Sequence, residues 1–258
     1  MRIVLKNAKF NTYGLADISD LLEEVSSNYG GISDMTPVET LFRALGADGS
    51  NQIWGKIKNL YMPVLAVPGD GIKSMYDIIT KDNYPAQNYT VETGRGIAPT
   101  TLGNTIGSMS CDTSITNDNI SLFTIFTQSS RQTLGSSSSV IINNHGITIT
   151  WLKATISITG DDYSGDDKMS LTNSTQFTRA NYVALSRSEN GARTAVSYGT
   201  QDSHQMEPAS GNTNITIGGW AATSLLAICD GLTSEEAVIV GTALNNFITG
   251  FGIPCVNS

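Results

Sequence analysis

From Ile53 onward the chain breaks into short runs of β-branched and aromatic residues, and Gly, Asn, Asp or Ser clusters fill the breaks. That spacing is the mark of a β-sandwich or barrel. It predicts strands over Lys56–Ala66, Met75–Thr80, Tyr89–Thr93, Ile106–Cys111, Ile120–Gln128, Val140–Asn143, Gly146–Thr159, Met169–Asn173, Asn181–Glu189, Ala192–Gly199, Ile215–Gly218 and Leu225–Cys229. Composition agrees. Ser, Thr and Asn number 28, 29 and 20, beside 25 Gly and only 8 Lys. This favours strands and turns over long surface helices. The 40% hydrophobic share suffices for a core, so disorder is excluded.

Two strand segments make sharper predictions. Asn190-Gly191 is a strong two-residue turn signal, and with it paired positions sum to 381. Leu185 then faces Val196, and Val183 faces Tyr198. Along Gly146–Thr159, Ile147, Ile149 and Trp151 share one parity while Ile156 and Ile158 share the other. That slip requires a bulge or a turn near Leu152–Thr155.

Residues 1–52 read differently, as a small helical segment ahead of a β-domain over 53–258. Gly14–Tyr29 carries Leu15, Ile18, Leu21, Leu22 and Val25 at helical spacing. Thr36-Pro37-Val38-Glu39 reads as a capping box that starts a second helix, with Leu41, Phe42 and Leu45 as its apolar face. Helices this short cannot bury much alone. They must pack on the β-domain, on sister chains or on another protein. At the other end, Thr233-Ser234-Glu235-Glu236 is a capping box, and Ala237, Val240, Leu244, Phe247 and Ile248 form the helix's buried stripe.

Charge and cysteine content exclude several classes. The net charge is −8, and no run of Lys and Arg exists for nucleic acid or an anionic membrane. No stretch approaches the apolar length of a membrane span, and MRIVLKNAKF lacks a signal-peptide core. Three scattered cysteines, Cys111, Cys229 and Cys255, predict reduced thiols in a protein made in a cytoplasm.

The order of motifs from residue 120 onward resembles the concanavalin A-like, or laminin-G-like, jelly roll. ISLFTIFTQ comes first, then the hairpin YVALSRSENGARTAVSYG, then ITIGGW, LLAICDGL and TSEEAVIVGTAL. Ile215–Gly219 fits that family's hxhGG strand, and Leu232–Glu236 fits its following Leu-Thr/Ser-x-x-Glu helix. MRIVLKNAKF, KIKNLYMPVLA and the lectin-like second half are also similar to virion proteins of tailed phages infecting Bacteroidales, including crAss-like phages. The fold implied is a mainly β jelly-roll sandwich with an N-terminal helical attachment segment and a C-terminal helix. The role implied is a fibre, appendage or capsid-decorating protein, assembled in the host cytoplasm and located on the virion. Its partners would be other virion proteins and sister chains, in a closed homo-oligomer such as a trimer. Leu15, Ile18, Leu22, Leu41, Phe42 and Leu45 are the expected assembly residues.

Candidate chemistry is sparse. Retaining glycosidases need two carboxylates about 5–5.5 Å apart, and no strand carries Glu-x-Asp or Glu-x-Glu. His145 and His204 have no nucleophile placed beside them, so no catalytic residue is expected. Asp161, Asp162, Asp166 and Asp167 crowd a Gly-containing loop that could hold calcium through oxygen ligands, though a solvated hairpin tip is the favoured reading. No other cofactor is expected. Trp220 follows Gly218-Gly219 at a strand end, where by default its ring packs over the sandwich edge but where it can also reach the surface and stack on a sugar. The alternative role is thus a carbohydrate-binding adhesin for a host surface glycan.

Overall fold

The computed structural model describes residues 18–30, 34–68, 73–84, 88–110, 119–131, 140–144, 147–152, 155–159, 168–172, 180–187, 192–197, 200–205 and 214–251. Three helices come first: α1 (Ile18–Tyr29), α2 (Thr36–Ala44) and α3 (Ile53–Lys56). Strand β1 (Ile57–Tyr61) and a 3₁₀ turn at Pro63–Leu65 lead to β2 (Tyr89–Glu92), β3 (Gly96–Pro99), β4 (Thr105–Ser110) and β5 (Ile120–Gln128). Next are β6 (Val140–Asn144), β7 (Ile147–Leu152), β8 (Thr155–Thr159), β9 (Lys168–Thr172), β10 (Ala180–Arg187), β11 (Ala192–Ser197) and β12 (Thr200–Gln205). Strands β13 (Asn214–Gly219) and β14 (Ala221–Asp230) precede α4 (Ser234–Gly250).

The strands form two antiparallel sheets, as a sandwich requires. One runs β12-β11-β10-β5-β14-β3-β2, with β1 also paired to β14. The other runs β4-β13-β6-β7-β8-β9. Residue parity separates two cores. Leu122 and Phe126 of β5, Val183 and Leu185 of β10, and Leu226 and Ile228 of β14 meet Ile149, Leu171 and Ile217 of the second sheet. Their neighbours Phe123, Ile125, Tyr182, Ala184, Leu225 and Ala227 face the opposite way, into the helices. The first sheet is therefore the middle of three layers.

Helix α4 covers that outer face, and its stripe of Ala237, Val240, Leu244, Phe247 and Ile248 is buried as its spacing requires. Its capping box forms: the Glu236 N–H donates to Thr233 Oγ1 at 3.2 Å, and the Thr233 N–H donates to Glu236 Oε2 at 2.8 Å. Lys56 Nζ pairs with the same carboxylate at 2.6 Å. Gly241 lets the helix approach β11; a Cβ there would lie 2.8 Å from Val196 Cγ1.

Helices α1 and α2 belong to the same core. Ile18, Leu41, Phe42 and Leu45 are buried within the chain, and Leu22 packs partly buried against them. The chain's own core therefore covers Ile18, Leu41, Phe42 and Leu45, the first of the three ways of packing open to these helices; an assembly role for these residues is a separate question, which the Phe42 measurement below addresses. Leu15 lies outside the described residues. Tyr29 locks α1 in place, because its hydroxyl donates to Tyr76 O at 2.6 Å and accepts from the Met62 N–H at 2.9 Å. Complete burial raises its pKa well above the tyrosine range.

Four local expectations need correction. Thr36 is the first residue of α2 rather than its cap; Met35 precedes it without a side-chain bond, and Asp34 Oδ1 accepts the Thr36 N–H at 2.9 Å. Residues 75–80 form turns with isolated bridges at Tyr76 and Asp77 instead of a strand. They are organised by the buried Asp77, which accepts from Asn59 Nδ2 and from the N–H groups of Leu60 and Ile79. Residues 201–205, which lie outside every expected strand, form part of β12 at the sheet edge. Finally, β10 and β11 pair Ala184 with Val196 and Leu185 with Ala195, one residue off the expected register. Both faces of this pair are buried, so the hydrophobic pattern no longer distinguishes one register from the next. The predicted break near Leu152–Thr155 is a turn between β7 and β8, with those two residues paired across it.

If α2 is core, Phe42→Ala should destabilise the chain by about 3–5 kcal/mol, the usual cost of emptying a buried aromatic site. The loss in a urea melt should be independent of protein concentration. A loss that disappears on dilution would place Phe42 at an interface between chains.

Candidate functional site

An open depression of about 670 Å³ is lined by Asn88, Thr100, Thr101, Gly103 and Asn104. Strand pairing creates it. Tyr89 pairs with Pro99 in the β2–β3 hairpin, so Asn88 and Thr100 meet just beyond the ladder. There the Thr100 N–H donates to Asn88 O at 2.8 Å. Asn88 has φ 59, a left-handed conformation that Asn tolerates better than most residues.

The loop after β3 is tied to the end of β13. The Gly103 N–H donates to Gly219 O at 2.8 Å, and the Gly219 N–H donates to Asn104 O at 2.9 Å. These two bonds bring the residue after Gly219 beside the depression. That residue is Trp220, whose side chain is a rare exposed aromatic at 43%. A Cβ on Gly103 would stand 3.4–3.6 Å from ring atoms Cζ2, Cε2 and Nε1. Gly103 has φ +93, so the close seat beside the indole is made by a glycine conformation that other residues avoid.

An ion pair between buried Glu92 and exposed Arg131 holds the hairpin from behind. Glu92 is only 6% exposed. It accepts from Ser129 Oγ at 2.6 Å, from the Ser130 N–H at 2.6 Å and from Arg131 Nε at 3.1 Å. The rest of the Arg131 guanidinium grips the site's wall: Nη1 donates to Thr100 O at 2.7 Å and Nη2 to Pro99 O. Burial alone would raise the Glu92 pKa, but the bonds from Ser129, Ser130 and Arg131 outweigh it and leave the carboxyl below its ordinary range.

Strand β14 adds a second tether. Its pairing with β5 slips between Thr223 and Leu225, leaving Ser224 as a bulge. The Ser224 hydroxyl donates to Arg95 O at 2.5 Å, fastening the β2–β3 turn. Gly96 passes so close that a Cβ would lie 2.0 Å from Thr223 O.

Among the sequence candidates, the structure thus brings Trp220 to a concave polar surface. Asp161, Asp162, Asp166 and Asp167 lie outside the described residues, as do His145, Cys111 and Cys255. Among the described residues no group of three His, Cys, Asp or Glu could hold a metal. Cys229 is buried, and burial pushes its thiol pKa up. Asn88, Thr100, Thr101, Gly103 and Asn104 escaped notice in the sequence. Their only local signal is turn chemistry around Gly103-Asn104, and the ladder alone shows that they converge.

No protein-family model matches the chain, and no curated protein matches it. Among solved structures it is similar to the botulinum neurotoxin serotype D binding domain, with TM-score 0.51 and 15% identity over 74% of this chain and 53% of that one. A point mutant of HCR/D gives TM-score 0.47 and 16% identity, covering 75% of this chain and 52% of that chain. The binding domain of botulinum neurotoxin DC in complex with SialylT gives 0.37 and 10%, covering 53% and 39%. The chain spans about half the length of the first two. At this identity the first likeness is one of fold, a lectin-like β-sandwich, and the other two scores are too low to add to it.

The Glu92 network makes a pH prediction. A carboxyl whose folded pKa is depressed contributes stability fully above its unfolded value, about 4.3, and loses it as pH falls through the lower folded value. The stability gap between the wild type and Glu92→Gln should therefore be constant from neutral pH down to about 5 and narrow below that. Urea melts across this range test it; a gap that widens in acid would show that the pKa is raised.

Proposed function

We propose that this chain is a non-catalytic, lectin-like recognition domain that binds a glycan at the depression beside Trp220. The observation that carries this reading is the exposed indole seated at a rigid, uncharged polar surface. A sugar ring offers an apolar C–H face to an aromatic ring and hydroxyls to amides and hydroxyls. Trp220 supplies the first kind of partner, and Asn88, Thr100, Thr101 and Asn104 supply the second. The volume falls within the roughly 300–1,000 Å³ of small-ligand sites. The buried carboxylates Asp77 and Glu92 are engaged in holding backbone, which supports a binding role over an acid–base one.

Trp220→Ala should abolish saturable binding on a glycan array and leave thermal stability nearly unchanged, since exposed side chains contribute within about 0.5 kcal/mol. Binding that survives the substitution refutes this site.

Display on a virion is the second part of the proposal. Its support is the sequence similarity of MRIVLKNAKF and KIKNLYMPVLA to phage appendage proteins. A sandwich carried outward on a particle would present the Trp220 surface to host glycans. Immunogold labelling of purified particles with antibody to this chain is the expected confirmation; unlabelled particles would remove the virion role.

A further inference from the structure

Resting on the reading of Trp220 as a glycan site, we infer that its ligand is a neutral glycan, without carboxylate, sulfate or phosphate, bound without a metal bridge. The described residues that line the depression, Asn88, Thr100, Thr101, Gly103 and Asn104, and Trp220 beside them, carry no charge, in a chain whose net charge is −8.

The cation beside the depression is already engaged. Arg131 directs Nε to Glu92 and its two terminal nitrogens to Thr100 O and Pro99 O. Glu92 also neutralises its charge. An acidic sugar would have to shed water from its anion and would meet a guanidinium whose charge Glu92 already balances. The acidic protein would meanwhile repel it at long range. A calcium bridge, the other common way to hold sugar hydroxyls, is built on carboxylates supplemented by carbonyl oxygens, and the described lining side chains offer the amide oxygens of Asn88 and Asn104 but no carboxylate to balance the ion's charge. What remains are amides and hydroxyls, which pair with the hydroxyl and acetamido groups of neutral hexoses and N-acetylhexosamines.

The test uses the full chain on an array pairing neutral oligosaccharides with their sialylated, uronate-containing and sulfated counterparts. Neutral glycans should bind, and Trp220→Ala should weaken them roughly tenfold or more, as loss of an aromatic anchor does. Asn104→Ala, which leaves the backbone tie intact, should weaken them too. Binding should be unchanged by EDTA and by raising salt from about 0.05 to 0.5 M, because no ion pair forms. Binding confined to anionic glycans, or lost in EDTA, but still dependent on Trp220, would overturn the neutral, metal-free assignment and leave the site standing. Absence of glycan binding, or binding indifferent to both substitutions in folded protein, would overturn the site itself. Near-ultraviolet circular dichroism of each variant establishes that it is folded.

Discussion

Strands β5 and β14 lie side by side in the middle layer, and both of their faces are closed, one by the second sheet and one by helices. Such strands have no solvent face to receive a polar side chain, so every buried hydroxyl on them must find a hydrogen-bond partner. The structure meets that demand. Thr124 Oγ1 donates to Leu225 O, Ser224 donates to Arg95 O, and Ser121 Oγ accepts the Leu232 N–H ahead of α4. These bonds join the central pair to the β2–β3 turn at one end and to α4 at the other. The placement of the hairpin, and with it the depression beside Trp220, follows from satisfying polar groups inside a layer sealed on both sides.

The same sealing explains what was legible in the sequence. ISLFTIFTQ was bounded correctly as β5 because a continuous apolar run is what a doubly buried strand requires. The α4 cap was legible because all its partners lie within four residues. The register of β10 against β11 was not. It is normally chosen by the cost of turning apolar residues to water, and here a slip by one turns them into the other core. Asp77 misled in the opposite direction. Residues 75–80 look like a strand by composition, yet a buried carboxylate gathers the surrounding N–H groups and bends the backbone into turns. That Leu41, Phe42 and Leu45 are covered by the chain's own core was not legible, because helix length says how much cover is needed, not which part of the chain provides it.

At the candidate site, the place of Trp220 at a strand end after two glycines was legible, whereas the choice between packing over the sandwich edge and exposure was not, because it depends on the Gly103 loop that the sequence does not place. The companions of Trp220 were not legible. Asn88, Thr100 and Asn104 are ordinary turn residues until the β2–β3 ladder and the Gly103–Gly219 bonds gather them. Glu92 and Arg131 were equally silent, since an ion pair between distant segments leaves no spacing to read.

That ion pair is also the feature whose purpose is least explained by stability. A pair with one ion at the surface contributes modestly once screening and the burial of the other ion are counted. What this one does is positional. Arg131 holds the carbonyls of Pro99 and Thr100, and Thr100 lines the depression. A neutral ligand makes such rigidity valuable. Each uncharged hydrogen bond contributes only about 0.5–1.5 kcal/mol net, so ordering a loose loop on binding would cancel several of them. A site without charges must therefore be built in advance. The clamp behind Thr100, the bulge at Ser224 and the paired bonds at Gly219 are the means by which this fold builds it.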